Sequence, residues 1–282
     1  MTIRTIFVAG AGQMGSGIAQ VSAQAGYRTI LRDIDEKFVE KGIALIKKNL
    51  QRKVDNNKMS SEEMNNILSN LIPTTDLELA AEADVVIEAI PENEELKKEF
   101  MGKMDQITPA HTILASNTSA LPITVLASAT KRVDKVIGMH FMNPVPVMKL
   151  VEIVQGNQTS EETVNIIRQL AKDLNKESVL AKDFPGFLST RLGMAMANEA
   201  LYALYEGRGT KEDIEKCAKL GLNHPMGPFE WMDFVGLDSM LSILTNLWES
   251  YGDNRYFPCP LLKQMVQAGR LGRKSGKGFY EY

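Results

Sequence analysis

Residues 3–9 of this chain, IRTIFVA, are apolar and β-branched enough for a buried parallel strand, and the run GAGQMGSG follows at once. A periodic segment from about Met14 to Gln24 reads as a helix stopped by Ala25-Gly26, and a second strand, YRTILRD, ends in Asp33. Strand, Gly10-x-Gly12-x-x-Gly15, helix, strand and terminal acid in that order restrict the opening to a βαβ unit that binds a dinucleotide. The first glycine permits the tight turn, the second lets main chain approach a pyrophosphate, and the third lets helix and sheet pack closely. Gln13 and Met14 complete the loop, and the helix N-terminus offers its unpaired amides to phosphate. Asp33 falls 21 residues after Gly12, where a carboxylate accepts from ribose hydroxyls and repels a 2′-phosphate. NAD is therefore favoured over NADP, although Arg32 keeps a phosphate in play. The competing reading of Asp33 is a helix cap.

Further along, residues 35–72 are helical in pattern with a break near Asp55–Lys58, which predicts an inserted pair of helices projecting from the sheet. Strands return at 84–90, at TILASN ending in Asn117, at VIGMHF (136–141), at KLVEIV (149–154) and near SVLAK. The βα alternation stops at Asp183-Phe184-Pro185-Gly186-Phe187. Beyond it, helical patterns cover 188–206, 211–219, 228–250 and 260–268, with a hinge expected where the first of these begins. The expected architecture is α/β: a Rossmann-like nucleotide-binding domain over 1–184 with its helical insertion, then an all-helical domain over 185–282. A length of 282 residues suits two domains. The small helical domain gains from a partner, so two-fold association is expected.

Composition narrows the function classes. A net charge of −3 gives no broad attraction for nucleic acid. Two cysteines and three histidines, none clustered, make neither a disulfide framework nor a metal site. No apolar stretch is long enough to span a bilayer, and no signal-peptide core opens the sequence, so a cytoplasmic protein is expected.

Chemistry-bearing residues gather at strand ends. Ser116-Asn117-Thr118-Ser119 follows a strand, at the carboxyl edge where such sheets bind ligands. His140 stands near the end of VIGMHF, and Glu152 lies twelve residues on, inside an apolar strand where a lone carboxylate is costly. An imidazole–carboxylate pair satisfies both residues and orients the ring for proton transfer. Oxidation of a secondary alcohol needs such a base, with Ser119 positioning the oxygen. The plainer alternatives are a satisfied core or rim histidine and a serine that caps the next helix.

GAGQMGSGIAQ, SNTSALPIT, GMHFMNPVPVMKLVEIV, NHPMGPFEWMDFVGLD and GRKSGKGFYEY occur in one order, essentially end to end. In these motifs the chain resembles the short L-3-hydroxyacyl-CoA dehydrogenases, especially the bacterial 3-hydroxybutyryl-CoA dehydrogenases of butyrate-forming fermentation. The resemblance implies NAD-dependent interconversion of (S)-3-hydroxyacyl-CoA and 3-oxoacyl-CoA, with 3-hydroxybutyryl-CoA and acetoacetyl-CoA as the expected pair. It implies His140 as general acid/base held by Glu152, Ser119 on the substrate oxygen, and Asn143 beside the nicotinamide. Glu92, Lys97, Asn117 and Lys274 fall at positions associated with the cofactor. Lys41, Lys47, Lys48, Arg52 and Lys53 of the helical insertion become expected contacts of coenzyme A phosphates, against the plainer reading of a solvated helix face. A homodimer through the helical domain is implied as well. One position departs: the family carries Asn in PGF-x-x-Asn-Arg, and here Thr190 precedes Arg191. Thr190 keeps a hydroxyl donor but loses the amide. Two alternatives stay open, a related dehydrogenase of free hydroxy acids and a weakly active or non-catalytic NAD-binding homologue.

Overall fold

Strand β1 (Thr5–Ala9) is buried at every residue, the continuous apolar pattern of a strand covered on both faces. It is the third strand of an eight-stranded sheet in the order β3-β2-β1-β4-β5-β6-β7-β8. In the computed structural model, which describes residues 2–282, the chain runs through α1 (Gln13–Gln24), β2 (Arg28–Arg32), α2 (Glu36–Asp55), α3 (Ser61–Ser69), β3 (Leu71–Thr74), β4 (Val85–Glu88), α4 (Glu94–Ile107), β5 (Ile113–Ser116), α5 (Ile123–Ala127), β6 (Val136–Phe141), β7 (Leu150–Gln155), α6 (Glu161–Asp173) and β8 (Glu177–Lys182). From β3 to β6 all neighbours pair in parallel, β7 runs antiparallel to β6, and β8 is parallel to β7. The sequence-adjacent strands turn away from each other between β1 and β4, and ligands bind at such a switch point.

The insertion ends earlier than the sequence pattern implies. Leu71 and Ile72, expected to be helical, open the edge strand β3, which is paired with β2. Pro73 lacks an N–H for a second neighbour and so suits a strand paired on one side. Helix α3 starts at a capping box in which Ser60 and Glu63 each accept from the other's main-chain N–H.

One compact unit ends at Phe184 and a second covers Pro185–Tyr282. The second holds α7 (Ser189–Tyr205), α8 (Lys211–Lys216), α9 (Pro228–Val235), α10 (Leu237–Tyr251) and α11 (Pro260–Gln267). The single helix expected over 228–250 is two, broken at Gly236, whose φ of +100° leaves the right-handed region. The core of this unit gathers Met194, Leu201, Phe229, Met240, Leu244 and Leu262. The buried carboxylate of Asp233 fixes the C-terminal tail, accepting from the N–H of Phe279 and Tyr280, both at 2.9 Å, and from the hydroxyl of Tyr282. Among the described residues no helix is long and apolar enough to cross a membrane.

A carboxylate also ties down the start of the sheet. Asp84 accepts from the N–H of Arg4 at 2.7 Å and of Thr5 at 3.0 Å, and lies 3.0 Å from Nε2 of His111. Burial pushes its carboxyl up, but these partners outweigh burial and hold it below the ordinary aspartate value. A carboxyl depressed in the folded state stabilises above its unfolded pKa of about 4, and that stabilisation is lost as the pH falls through the folded value. Asp84→Asn is expected to cost about 1 kcal/mol near neutrality. In thermal melts the gap between parent and variant should close below about pH 4; a gap of constant size across that range refutes the assignment.

Candidate active site

The turn leaving β1 is built from backbone that tolerates no side chain. Gly10 has φ +101°, its N–H donates to the carbonyl of Arg32 at 2.8 Å, and a Cβ on it would lie 2.4 Å from the Ala89 carbonyl oxygen. A Cβ on Gly15 would lie 1.7 Å from the Gly10 carbonyl oxygen, whereas one on Gly12 would meet nothing within 4 Å. Gly10 and Gly15 thus bring α1 against the strand ends, and Gly12 leaves its side of the loop open. Asp33 accepts from the N–H of Ala11 through Oδ2 and from that of Ile34 through Oδ1, both at 2.7 Å. It is not a helix cap, because Asp35 caps α2 by accepting from Lys37. The Arg32 guanidinium donates to the carbonyl of Thr75 on the sheet edge. A cavity of about 710 Å³ lies over this loop, lined by Gly10 through Met14, by Asp33 and by the apolar Ile34, Phe38, Leu77, Leu96 and Phe100. An open loop, a carboxylate at a strand end and an apolar slot fit the adenosine and pyrophosphate of a dinucleotide.

Met14, Ala89 and Ile90 line this cavity and also a second one of about 320 Å³. The second is faced by His140, Ser119, Asn117, Asn143, Glu92 and Lys97. His140 and Glu152 are register partners across β6 and β7. Nδ1 of His140 lies 2.8 Å from Oε2 of Glu152, whose side chain is wholly buried. With Nδ1 donating to that carboxylate, the neutral ring carries its lone pair on Nε2, the arrangement of an oriented base. His140 faces this cavity, and Ser119 does not cap α5, whose first amides go to Asp183 at 2.8 and 2.7 Å.

The remaining sequence-derived residues fall into distinct places. Asn117 accepts from the N–H of Phe141 at 2.9 Å and so ties the end of β5 beside His140. Gln13 donates to Asn143 at 2.9 Å, which joins the glycine loop to the chain leaving β6. Lys97, only 2 % exposed, lies 2.6 Å from Glu88 and 3.1 Å from Glu92. Lys41 lines the cofactor-side cavity with Asp33, whereas Lys47 lines a separate cleft of about 550 Å³ between α2 and β3. Lys48 is exposed and Lys53 half-buried on the same helix. In the second unit, Lys274 pairs with Asp238 at 2.5 Å and holds that carboxyl below its ordinary value, while Thr190 is half-buried in the first turn of α7. Glu88 was missed by the sequence reading, although its signal is that of Glu152: a carboxylate inside an apolar strand.

The family model "3-hydroxyacyl-CoA dehydrogenase, NAD binding domain" matches residues 5–184, and its companion, "3-hydroxyacyl-CoA dehydrogenase, C-terminal domain", matches 186–282. A protein of Bacillus subtilis described as probable 3-hydroxybutyryl-CoA dehydrogenase is 51% identical over 282 residues, covering 100% of this chain and 98% of its own. The 3-hydroxybutyryl-CoA dehydrogenase of Clostridioides difficile is 44% identical over 275 residues, 98% of each chain. The crystal structure of (S)-3-hydroxybutyryl-CoA dehydrogenase from Ralstonia eutropha matches with a TM-score of 0.97 at 42% identity, covering 100% of this chain and 99% of that one. A nucleotide-binding sheet with a histidine–glutamate pair at its carboxyl edge, matched end to end, places this chain in the 3-hydroxyacyl-CoA dehydrogenase family.

Proposed function

We propose that this chain is an NAD-dependent dehydrogenase that interconverts (S)-3-hydroxyacyl-CoA and 3-oxoacyl-CoA, with the four-carbon 3-hydroxybutyryl-CoA and acetoacetyl-CoA as its working pair. The observation that carries the reading is the His140–Glu152 pair facing the same cavity as Ser119 and Asn143, next to the glycine-loop cavity. Bound NAD supplies the hydride acceptor, and NADH the donor in reverse. In oxidation, Nε2 of His140 takes the C3 hydroxyl proton, and the buried Glu152 carboxylate stabilises the imidazolium. In reduction the same nitrogen returns the proton to the C3 oxygen. The Ser119 hydroxyl holds that oxygen, Asn143 flanks the nicotinamide, and Asp33 accepts from the adenine ribose. Glu92, Lys97 and Asn117 complete the cofactor's surroundings.

The lysines of the helical insertion, Lys41, Lys48 and Lys53 on α2, favour a coenzyme A thioester with its phosphates over a free acid. Assembly as a cytoplasmic homodimer through the helical unit fits its exposed Leu192, Met196, Leu220 and Leu222. The decisive assay follows NADH oxidation with acetoacetyl-CoA, with free acetoacetate, and with NADPH in place of NADH. Turnover that requires both the thioester and NADH is expected; equal turnover of the free acid defeats the substrate assignment.

Thr190 stands in the position of the family asparagine, so one hydroxyl replaces an amide in holding the substrate. Loss of one preorganised donor at a developing charge costs on the order of tenfold or more in rate. Thr190→Asn is therefore expected to raise kcat/KM for acetoacetyl-CoA by about tenfold. An unchanged or lower value shows that the threonine already supplies the contact.

A further inference from the structure

The parallel ladder between β4 and β5 ends at the register pair Glu88 and Ser116, with one last main-chain bond from Asn117 N–H to the Glu88 carbonyl. Residues 118–122 therefore lie beyond the sheet, and side chains must set their course. Glu88 is wholly buried and accepts three bonds: from Ile90 N–H at 2.8 Å, from the Lys97 ammonium at 2.6 Å and from the Ser116 hydroxyl at 2.6 Å. The Ser116 oxygen in turn accepts from Thr118 N–H. The Thr118 hydroxyl donates to Glu92 at 2.5 Å, and the other Glu92 oxygen lies 3.1 Å from Lys97. This path returns to Glu88 and closes a ring. Ser119 hangs from it by its N–H, which donates to Glu92 at 3.2 Å. Glu92 is 41% exposed and lies outside any strand, held between Thr118 and Lys97, and Lys97 is held in turn by Glu88 and the Ile90 carbonyl.

We propose that Glu88 is a positioning residue for Ser119, keying a closed ring through Lys97 to Glu92 and through Ser116 to Thr118 that fixes the Ser119 main chain beside the cavity of His140. The inference rests on the functional reading above only in giving Ser119 the substrate oxygen to hold. A glutamine at 88 keeps the shape but offers one acceptor oxygen to three donors. Thr118→Val opens the ring at another point without disturbing a buried charge.

Two measurements test the proposal. Amide hydrogen exchange of the protein without cofactor is expected to quicken about tenfold or more at residues 117–119 in both Glu88→Gln and Thr118→Val, with β7 unchanged; Ala120 and Leu121 are left out because their N–H groups bond directly to the Thr118 hydroxyl. Unchanged exchange at 117–119 in the folded variants overturns the ring, whatever the protein's substrate. In steady-state assays with acetoacetyl-CoA at saturating NADH, each variant should lose kcat about tenfold. Added to Ser119→Ala, each should cost less than about twofold more. Losses that multiply on the Ser119→Ala background show that Glu88 acts elsewhere and refute the assignment. A parent inert toward every thioester defeats the functional reading instead, and the exchange experiment still decides the ring. If Glu88→Gln fails to fold, Thr118→Val carries both measurements.

Discussion

His140→Gln is expected to lower kcat with acetoacetyl-CoA by about 10³-fold while the NADH dissociation constant moves by less than about threefold, because a positioned general acid–base contributes 10²–10⁴. Glutamine suits the test because its amide still donates to the buried Glu152 carboxylate. Alanine would leave that carboxylate without this donor and mix a stability loss of about 3 kcal/mol or more into the result. On the proposed reading the adenosine and pyrophosphate contacts lie on the glycine loop and Asp33, which line the other cavity and not that of His140, so NADH binding has little reason to change. Glu152→Gln should lose less, about 10²-fold: the ring keeps a partner but not a negative charge to stabilise the imidazolium. Steady-state rates beside NADH fluorescence titrations separate the two effects. A fall in kcat below about tenfold for His140→Gln would mean that the proton travels by another route.

How much of this site is readable without coordinates depends on where each residue finds its partner. His140 and Glu152 lie on adjacent strands twelve residues apart and face each other in register, so a pattern of two strands and one costly glutamate was enough. Glu88 carries the same signal, but its partner Lys97 sits a turn into α4, across a loop no periodicity describes, and Glu88 reads as the polar rim of its strand. Elsewhere, short elements were lost to longer patterns. The four residues of β3 carry a proline and follow α3 almost directly, so they merged with the helical insertion. Between α9 and α10 the apolar face runs on through Met232, Leu237, Met240 and Leu244, and only the backbone at Gly236 reveals two helices. The glycine loop was legible because its requirement is steric and local: the residues that must lack a side chain identify themselves.

That requirement yields the other large effect. Gly15→Ala is expected to raise the NADH dissociation constant about 100-fold, a loss near 2.7 kcal/mol, and to lower Tm by about 5 °C or more. The methyl group would begin 1.7 Å from the Gly10 carbonyl oxygen and 2.8 Å from its carbon. Gly10 has no room to retreat. Its N–H is bonded to Arg32 on β2, and its other side lies against the Ala89 carbonyl beyond β4. The helix α1 must therefore move off the strand ends and carry the amides of Gly12 and Gln13 with it. Such overpacking costs about 1–3 kcal/mol. Gly12→Ala is the matched control, since its methyl meets nothing within 4 Å of the protein. It should melt within about 1 °C of the parent and yet bind NADH at least about tenfold more weakly, because the methyl occupies the space where main chain must approach the pyrophosphate. Calorimetric melts and NADH titrations of both variants then separate a loop that must pack from a loop that must stay open. Equal melting of Gly15→Ala and the parent would show that α1 accommodates the methyl and that the close contact to Gly10 does not set the cofactor's bed.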